Sequence, residues 1–412
     1  MSKKKTEKKG GFLSKLLKIG VVLLIILVAL GAIYHKELVR LYKVITLFDE
    51  GVIVENFRNM GSFIDYRVVH KGDAIYEFGR AEMELPKTYE YNGETKNIKK
   101  FLDDTWTTGL VVIVDDKIAF EEYYLGNTEE SRAISWSVAK SFVSALVGIA
   151  VDEGYIKDIA DPVTDYVPIL KGTGYDGVSI KDVLQMSSGI RFNEDYFDFF
   201  SDINRMGRVI ALNLSLDKFV ASLVNEREPG TFNHYVSMDT QVLGMVLREA
   251  TGRDLSSYLE EKIWKKIGME SDAWFLTDGK GMELAFGGLN VVLRDYARFG
   301  RLYLNNGSWN GEQVVPRDWV RASVTPDAPH LMPGENPASD WVLGYGYQWW
   351  IPQNPEGDFL GIGVYNQFLY VYPKYNVVIA KTSAYAHYDV DGFERELETI
   401  AVLRAIAKGL GR

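Results

Sequence analysis

At 412 residues, 47% hydrophobic and 25% charged, the chain can bury a core large enough for one big domain or two closely packed lobes, which excludes a disordered polymer. The formal net charge is -10, yet residues 1–18 hold seven lysines against one glutamate; setting that +6 aside leaves the remainder at -16, too acidic for a nucleic-acid partner. Having no cysteine, the chain has no disulfide, thiolate metal site, cysteine nucleophile or cysteine-linked lipid.

From the amino terminus, residues 1–18 read as a basic tail and Ile19 to Tyr34 as an uncharged, mostly apolar run. Sixteen helical residues span about 24 Å, a little short of a bilayer core, and Leu16, Leu17 and the snorkelling stems of Lys15 and Lys18 extend it. The run predicts a single-pass transmembrane anchor over 19–34. Lysines before it keep the tail in the cytoplasm and send the acidic body to the periplasmic or extracytoplasmic side of the inner, cytoplasmic membrane. A cleaved signal peptide is the competing reading, with Ala29-Leu30-Gly31 as the cleavage site.

Residues 35–84, first amphipathic and then mixed with Gly, Pro and Asn, read as a neck that wraps on to a main domain over 85–410. Thr107 to Val114 and Lys117 to Tyr124, joined by Asp115-Asp116, predict two strands and a tight turn. A long apolar helix pattern runs from Phe142 to Val151 and stops near Gly154. A helical lobe is expected over about 155–290, with helices at 179–185, 215–224, 239–250 and 255–267, followed by one at 294–304. Strands return at 345–351, 367–372 and 377–382 before a closing amphipathic helix at 394–407. Strands at both ends with helices between predict an α+β fold: an antiparallel sheet flanked by helices and interrupted by a helical insertion.

No G-x-S-x-G elbow, no close ligand spacing among His35, His70, His234, His330 and His387, and no glycine-rich phosphate loop after a strand occurs, so no metal and no cofactor is expected. What remains is serine with lysine. Ser137-Val138-Ala139-Lys140 puts both side chains on one helix face about one turn apart, at the start of a helix apolar enough to be buried. Desolvation lowers a lysine pKa towards neutrality, which lets the amine accept a proton. The same spacing occurs at Ser2–Lys5 in the lysine-rich tail and at Ser215–Lys218, where Ser215 reads as a helix N-cap. The chemistry also needs a proton relay and an oxyanion hole. Tyr235, in a turn ahead of a helix, is the relay candidate if a neighbouring ammonium lowers its phenol pKa. Gly361 and Gly363 open an aromatic strand and would let backbone N–H groups approach a bound carbonyl.

With these three places in order, the chain resembles the serine β-lactamase and penicillin-recognising superfamily, and within it the class C-like esterases and the aminohexanoate (nylon-oligomer) amide hydrolases. Ser137-Val138-Ala139-Lys140 matches S-x-x-K, Tyr235-Val236-Ser237 matches Y-x-N with serine third, and Gly361-Ile362-Gly363 stands where K-T-G would. The resemblance implies an acyl-enzyme formed by Ser137, with Lys140 taking its proton and Tyr235 passing one to the leaving group. It implies an oxyanion hole from the backbone N–H groups of Ser137 and Val364, with Ser237, Tyr196 and Gly363 as substrate-binding positions. The expected partner is a small ester or amide, besides the membrane that holds the amino-terminal helix.

One departure has a consequence for substrate choice. Members that hold a β-lactam or peptidoglycan carboxylate use a cation at the start of the third motif, and Gly361 and Ile362 offer none. A penicillin-binding, D,D-peptidase or β-lactamase activity, and a non-catalytic receptor for wall fragments, are the alternative readings.

Overall fold

The computed structural model describes residues 7–411, so the Ser2–Lys5 pair lies outside it. A 27-residue helix, Glu7–Ile33, begins the described chain. Within it, Phe12–Ile33 is long and apolar enough to cross a membrane and buries none of its surface against the protein. It extends seven residues further towards the amino terminus than the uncharged run suggested, since Leu13, Leu16 and Leu17 keep the stretch apolar around two lysines. Tyr34 then leads into the amphipathic helix His35–Ile45.

The centre of the molecule is an eight-stranded sheet. In spatial order its strands are Gly344–Tyr345, Trp350–Ile351, Phe359–Gly363, Gln367–Tyr372, Val377–Ser383, Thr107–Val114, Lys117–Tyr123 and Gly79–Arg80. Every pairing is antiparallel except the last, where Gly79–Arg80 runs parallel to Lys117–Ile118. The central strand Thr107–Val114 is buried along its whole length. Because side chains alternate across a strand, Val111 and Ile113 join the core on one face and Leu110, Val112 and Val114 the core on the other. The first face is covered by the helices Ala139–Asp152 and Leu293–Leu304, the second by Ile98–Asp104 and the closing helix Tyr388–Leu410. This is an α+β arrangement.

Short helices Ile180–Leu184, Leu216–Val220 and Leu255–Leu259 and the longer Ser237–Thr251 form between the two halves of the sheet. Ser215 caps Leu216–Val220 by accepting the Lys218 N–H, so its S-x-x-K spacing is a capping motif. The sequence also holds elements that its periodicity did not single out. The helix Asp202–Ala211, capped by Ser201, follows a loop rich in Asp and Phe. A second, four-stranded sheet orders Tyr66–Val69, Ala273–Leu276, Leu289–Val292 and Arg132–Ile134. Its strands are three or four residues long, too short to show alternation, and the first pairs with a partner more than two hundred positions away, Tyr66 opposite Leu276. The expected strand 345–351 is broken: Gln348 takes a left-handed φ of 62° and splits it into Gly344–Tyr345 and Trp350–Ile351. The Gln348 amide then donates to the Val183 and Leu184 carbonyls and accepts from Thr240, tying the sheet edge to the helical lobe.

Helix Ala139–Asp152 sits close against its neighbours. A β-carbon at Gly148 would lie 2.3 Å from the Trp319 ring. Gly148→Val is therefore expected to cost about 1–3 kcal/mol through overpacking, despite removing a helical glycine, and thermal unfolding measures it.

Candidate active site

Ser137 is presented by a strained turn. Strand Arg132–Ile134 is anchored by the Ser135 N–H to the Leu289 carbonyl at 2.8 Å and by the Tyr296 hydroxyl to the Ala133 carbonyl at 2.9 Å. Trp136 then adopts φ 42°, a left-handed value that costs a non-glycine residue about 1–3 kcal/mol. Its indole is held by Phe57 and Phe48, with ring centroids 5.4 and 5.8 Å away. A 3-10 turn, Trp136–Val138, follows and runs into Ala139–Asp152, so Ser137 stands at the entrance of the helix.

Lys140, one turn further along, is only 1% exposed. Its Nζ donates to the Phe286 carbonyl at 2.7 Å and to Ser237 Oγ at 3.3 Å, and lies 5.3 Å from the centre of the Tyr235 ring. Desolvation brings the amine down to about 7, with Glu194 and Asp239 opposing the shift through their charge. Glu194 accepts the Ser237 N–H at 2.5 Å and the Tyr196 hydroxyl at 2.9 Å, and burial raises its carboxyl. Fully buried Asp239, bonded by the Tyr175 hydroxyl at 2.9 Å, is pushed well up for the same reason.

Tyr235 arrives from nearly a hundred positions downstream. Its segment is fixed by the Asn233 N–H to the Ala338 carbonyl and the His234 N–H to the Met186 carbonyl, both at 2.9 Å. The ring stacks on Trp350 at 5.4 Å, and its hydroxyl shares a hydrogen bond with Ser137. The sequence reading needed this phenol to be acidified by the ammonium; the structure reverses that. Burial and the repulsion of Glu194 drive the Tyr235 pKa well above its ordinary value, and the Ser137 bond offsets only part of this. Tyr235 is a neutral proton donor at rest, while Lys140 is the group poised to accept.

Opposite the Ser137 turn runs strand Phe359–Gly363. A β-carbon at Gly363 would lie 2.5 Å from the Ser135 carbonyl oxygen and 3.2 Å from the Ser137 nitrogen, so only glycine permits this approach. Tyr365 and Asn366 turn the chain with φ of 61° and 72°, leaving Val364 facing the same opening as Ser137.

Two cavities meet at Ser137, Val364 and Tyr196. One, of about 450 Å³, is bounded by helices His35–Ile45 and Asp202–Ala211 and reaches Ser237. The other, of about 300 Å³, is lined by Tyr235, Trp341, Trp350, Tyr388 and Glu396. Buried Glu396, whose carboxyl accepts from the Tyr388 hydroxyl at 2.7 Å, is raised to about 8 by desolvation. Among the residues lining the two, the one side-chain cation is Arg208, and its guanidinium lies 4.4 Å over the Phe199 ring.

Ser137, Tyr196 and Val364 thus line both cavities, Ser237 the larger and Tyr235 the smaller, while Lys140 and Gly363 are buried against Ser237 and the Ser137 turn behind them. Glu194, the Phe286 carbonyl and the Tyr388–Glu396 pair were not anticipated. Glu194 adjoins the named Tyr196 but lies in an acidic loop that reads as solvated, and Glu396 belongs to an amphipathic helix whose polar face reads as surface. The Phe286 contact is made by backbone, which no residue type announces.

A family model described as Beta-lactamase matches residues 95–403. The chain is 33% identical over 297 residues to a 6-aminohexanoate-dimer hydrolase of Paenarthrobacter ureafaciens, an alignment covering 70% of this chain and 75% of the relative. A solved structure from Bacillus anthracis, assigned as a 6-aminohexanoate-dimer hydrolase, superposes with a TM-score of 0.78 at 27% identity, covering 88% of this chain and 96% of that one. A penicillin binding protein from Bacillus halodurans shares the fold alone, with a TM-score of 0.56 at 16% identity over 72% of this chain and all of that one.

Lysine burial has a stability cost of known sign. Between about 7 and the ordinary value of 10.5, the unfolded chain holds a proton at Lys140 that the folded chain does not, so stability rises with pH across that window. Lys140→Met is expected to gain about 2 kcal/mol at pH 7, net of the lost hydrogen bonds, and the gain should shrink towards pH 10. Unfolding midpoints of both proteins at the two pH values measure it.

Proposed function

This chain belongs to the β-lactamase family, a family of serine hydrolases, and on that premise we propose that it cleaves esters or amides through an acyl-enzyme on Ser137 while anchored in a membrane by its amino-terminal helix. The observation that carries the chemistry is a lysine amine brought to about 7 by burial, in the first turn of the helix that Ser137 leads into and beneath the ring of Tyr235.

In this reading neutral Lys140 takes the proton of Ser137 as Oγ attacks the carbonyl carbon. The Ser137 and Val364 N–H groups receive the developing oxyanion, the first at a helix entrance where the backbone dipole favours negative charge. Tyr235 gives its phenolic proton to the departing oxygen or nitrogen and is replenished from Lys140. Water then enters where the leaving group stood, loses its proton to the same pair and releases the acid. Ser237 Oγ and the Phe286 carbonyl hold the Lys140 amine in place, and the Glu194 carboxyl fixes Ser237 by accepting its backbone N–H. The lack of a cation at Gly361-Ile362 favours a neutral carbonyl substrate over a β-lactam or peptidoglycan carboxylate. The 22-residue apolar span supports the anchor, and the lysines before it support an extracytoplasmic catalytic domain.

A fluorophosphonate probe should attach to Ser137, found by mass spectrometry, and Ser137→Ala should lose both the adduct and p-nitrophenyl acetate turnover. An unchanged rate in the alanine variant would refute the assignment. Tyr235→Phe is expected to lower kcat by about 10²–10⁴. The wild-type kcat/KM should climb as pH passes through about 7 and Lys140 sheds its proton, a limb that Tyr235→Phe should keep.

A further inference from the structure

The larger cavity is built differently from a pocket for a small polar substrate. Helix Asp202–Ala211 presents Ile203, Met206 and Ile210 to it, three positions on one helical face. Helix His35–Ile45 presents Leu41, Val44 and Ile45 from the other side, and the two helices are in contact. Two amphipathic helices thus pack at one edge while their apolar stripes leave a cleft that runs to Ser137.

The mouth of the cleft is apolar as well. Phe199 and Phe200 stand beside it, Phe200 at 79% exposed, with Tyr42 and Ile45 on the facing helix exposed by 65% and 69%. An exposed aromatic and aliphatic rim of this kind marks a surface meant for something apolar. Its position says what. The facing helix begins two residues after the membrane-spanning segment ends and is about 16 Å long, so the rim lies within roughly that distance of the bilayer. Lys36 and Lys43 on that helix suit an interfacial location, whereas Arg40 turns inward to Asp65 and the Phe63 carbonyl.

The reacting groups orient the substrate. Tyr235, the donor to the leaving group, lines the second cavity and not the apolar cleft, whereas Ser137 and Val364 line both. The leaving group therefore departs on the Tyr235 side, and the acyl portion lies in the cleft.

We propose that the substrate is a long-chain lipid ester or amide whose acyl chain enters from the membrane between helices His35–Ile45 and Asp202–Ala211. This rests on Ser137 being the nucleophile. The carbonyl carbon exchanges its bond to the leaving oxygen or nitrogen for one to Ser137 Oγ, the leaving group takes the proton, and water cleaves the acyl-enzyme to a fatty acid, restoring the serine.

The test uses the full chain in phosphatidylcholine vesicles with p-nitrophenyl acetate, butyrate and octanoate. Since each buried methylene can contribute about fourfold, kcat/KM for octanoate should exceed that for acetate at least tenfold. A β-carbon at Gly207, which lines the cleft, meets nothing within 4 Å, so a side chain can start there, and Gly207→Trp should narrow the cleft and lower the octanoate-to-acetate ratio tenfold or more. A long-chain alkyl fluorophosphonate carrying a terminal diazirine, once attached to Ser137, should crosslink to residues 41–48 or 203–211. Crosslinks at Trp341, Trp350 or Phe393, or acetate turnover with no gain for longer chains, would overturn the lipid substrate and leave the serine hydrolase standing. No turnover of any ester together with no adduct on Ser137 would remove both.

Discussion

Everything in the active site depends on keeping one amine out of water. A lysine at its ordinary pKa is a surface cation; the Lys140 amine comes down to about 7 because the helix that carries it is buried along nearly its whole length. That enclosure explains features that would otherwise look unrelated. The Phe286 carbonyl and Ser237 satisfy the donors of the amine, while Glu194 and Asp239 lie near enough to limit the cost of the charged form without forming an ion pair that would pin it. The same burial that depresses the amine raises the carboxyls of Glu194 and Asp239.

The second constraint is geometric. The turns at Trp136 and after Val364 bring Ser137 and Val364 to the wall that the two cavities share, and both turns use left-handed conformations, at Trp136, Tyr365 and Asn366. What holds them is an aromatic cluster: Phe48 stacks on Tyr365 at 4.6 Å and packs against Trp136, with Phe57 edge-on to both. Phe48 and Phe57 come from the segment that joins the apolar helix to the catalytic body. The part of the chain that reads as a tether is thus packed against the residues that flank Ser137 and Val364, so its position and the geometry of the opening are mechanically linked.

Much of this was readable from residue order. The apolar helix after Ser137, the paired strands at 107–124 and the aromatic strands near the carboxyl terminus have patterns long enough to show their period, and the S-x-x-K spacing places two side chains on one face by helix geometry alone. The short strands of the four-stranded sheet were not readable, since three or four residues carry no period and their partners are far away in sequence; the helix Asp202–Ala211 does carry apolar positions at helical spacing, Ile203, Met206 and Ile210, and was overlooked behind the acidic, aromatic loop that precedes it. The ionisation state of Tyr235 was misjudged for a related reason. A neighbouring ammonium lowers a phenol pKa, but desolvation and the Glu194 carboxyl act the other way, and neither is visible without coordinates.

By itself the amino-acid sequence determined that the chain is an α+β body behind a basic, apolar stretch, because those properties follow from composition and local periodicity, and it offered serine with lysine as the candidate chemistry through three motifs in order. Only the tertiary structure decided that the amine is dry, that the phenol is neutral, that Glu194 lies beside them, and that an apolar cleft opens next to the tether. Each of those is a consequence of segments distant in sequence meeting in the fold, where burial, and not residue type, sets the energy of a charge.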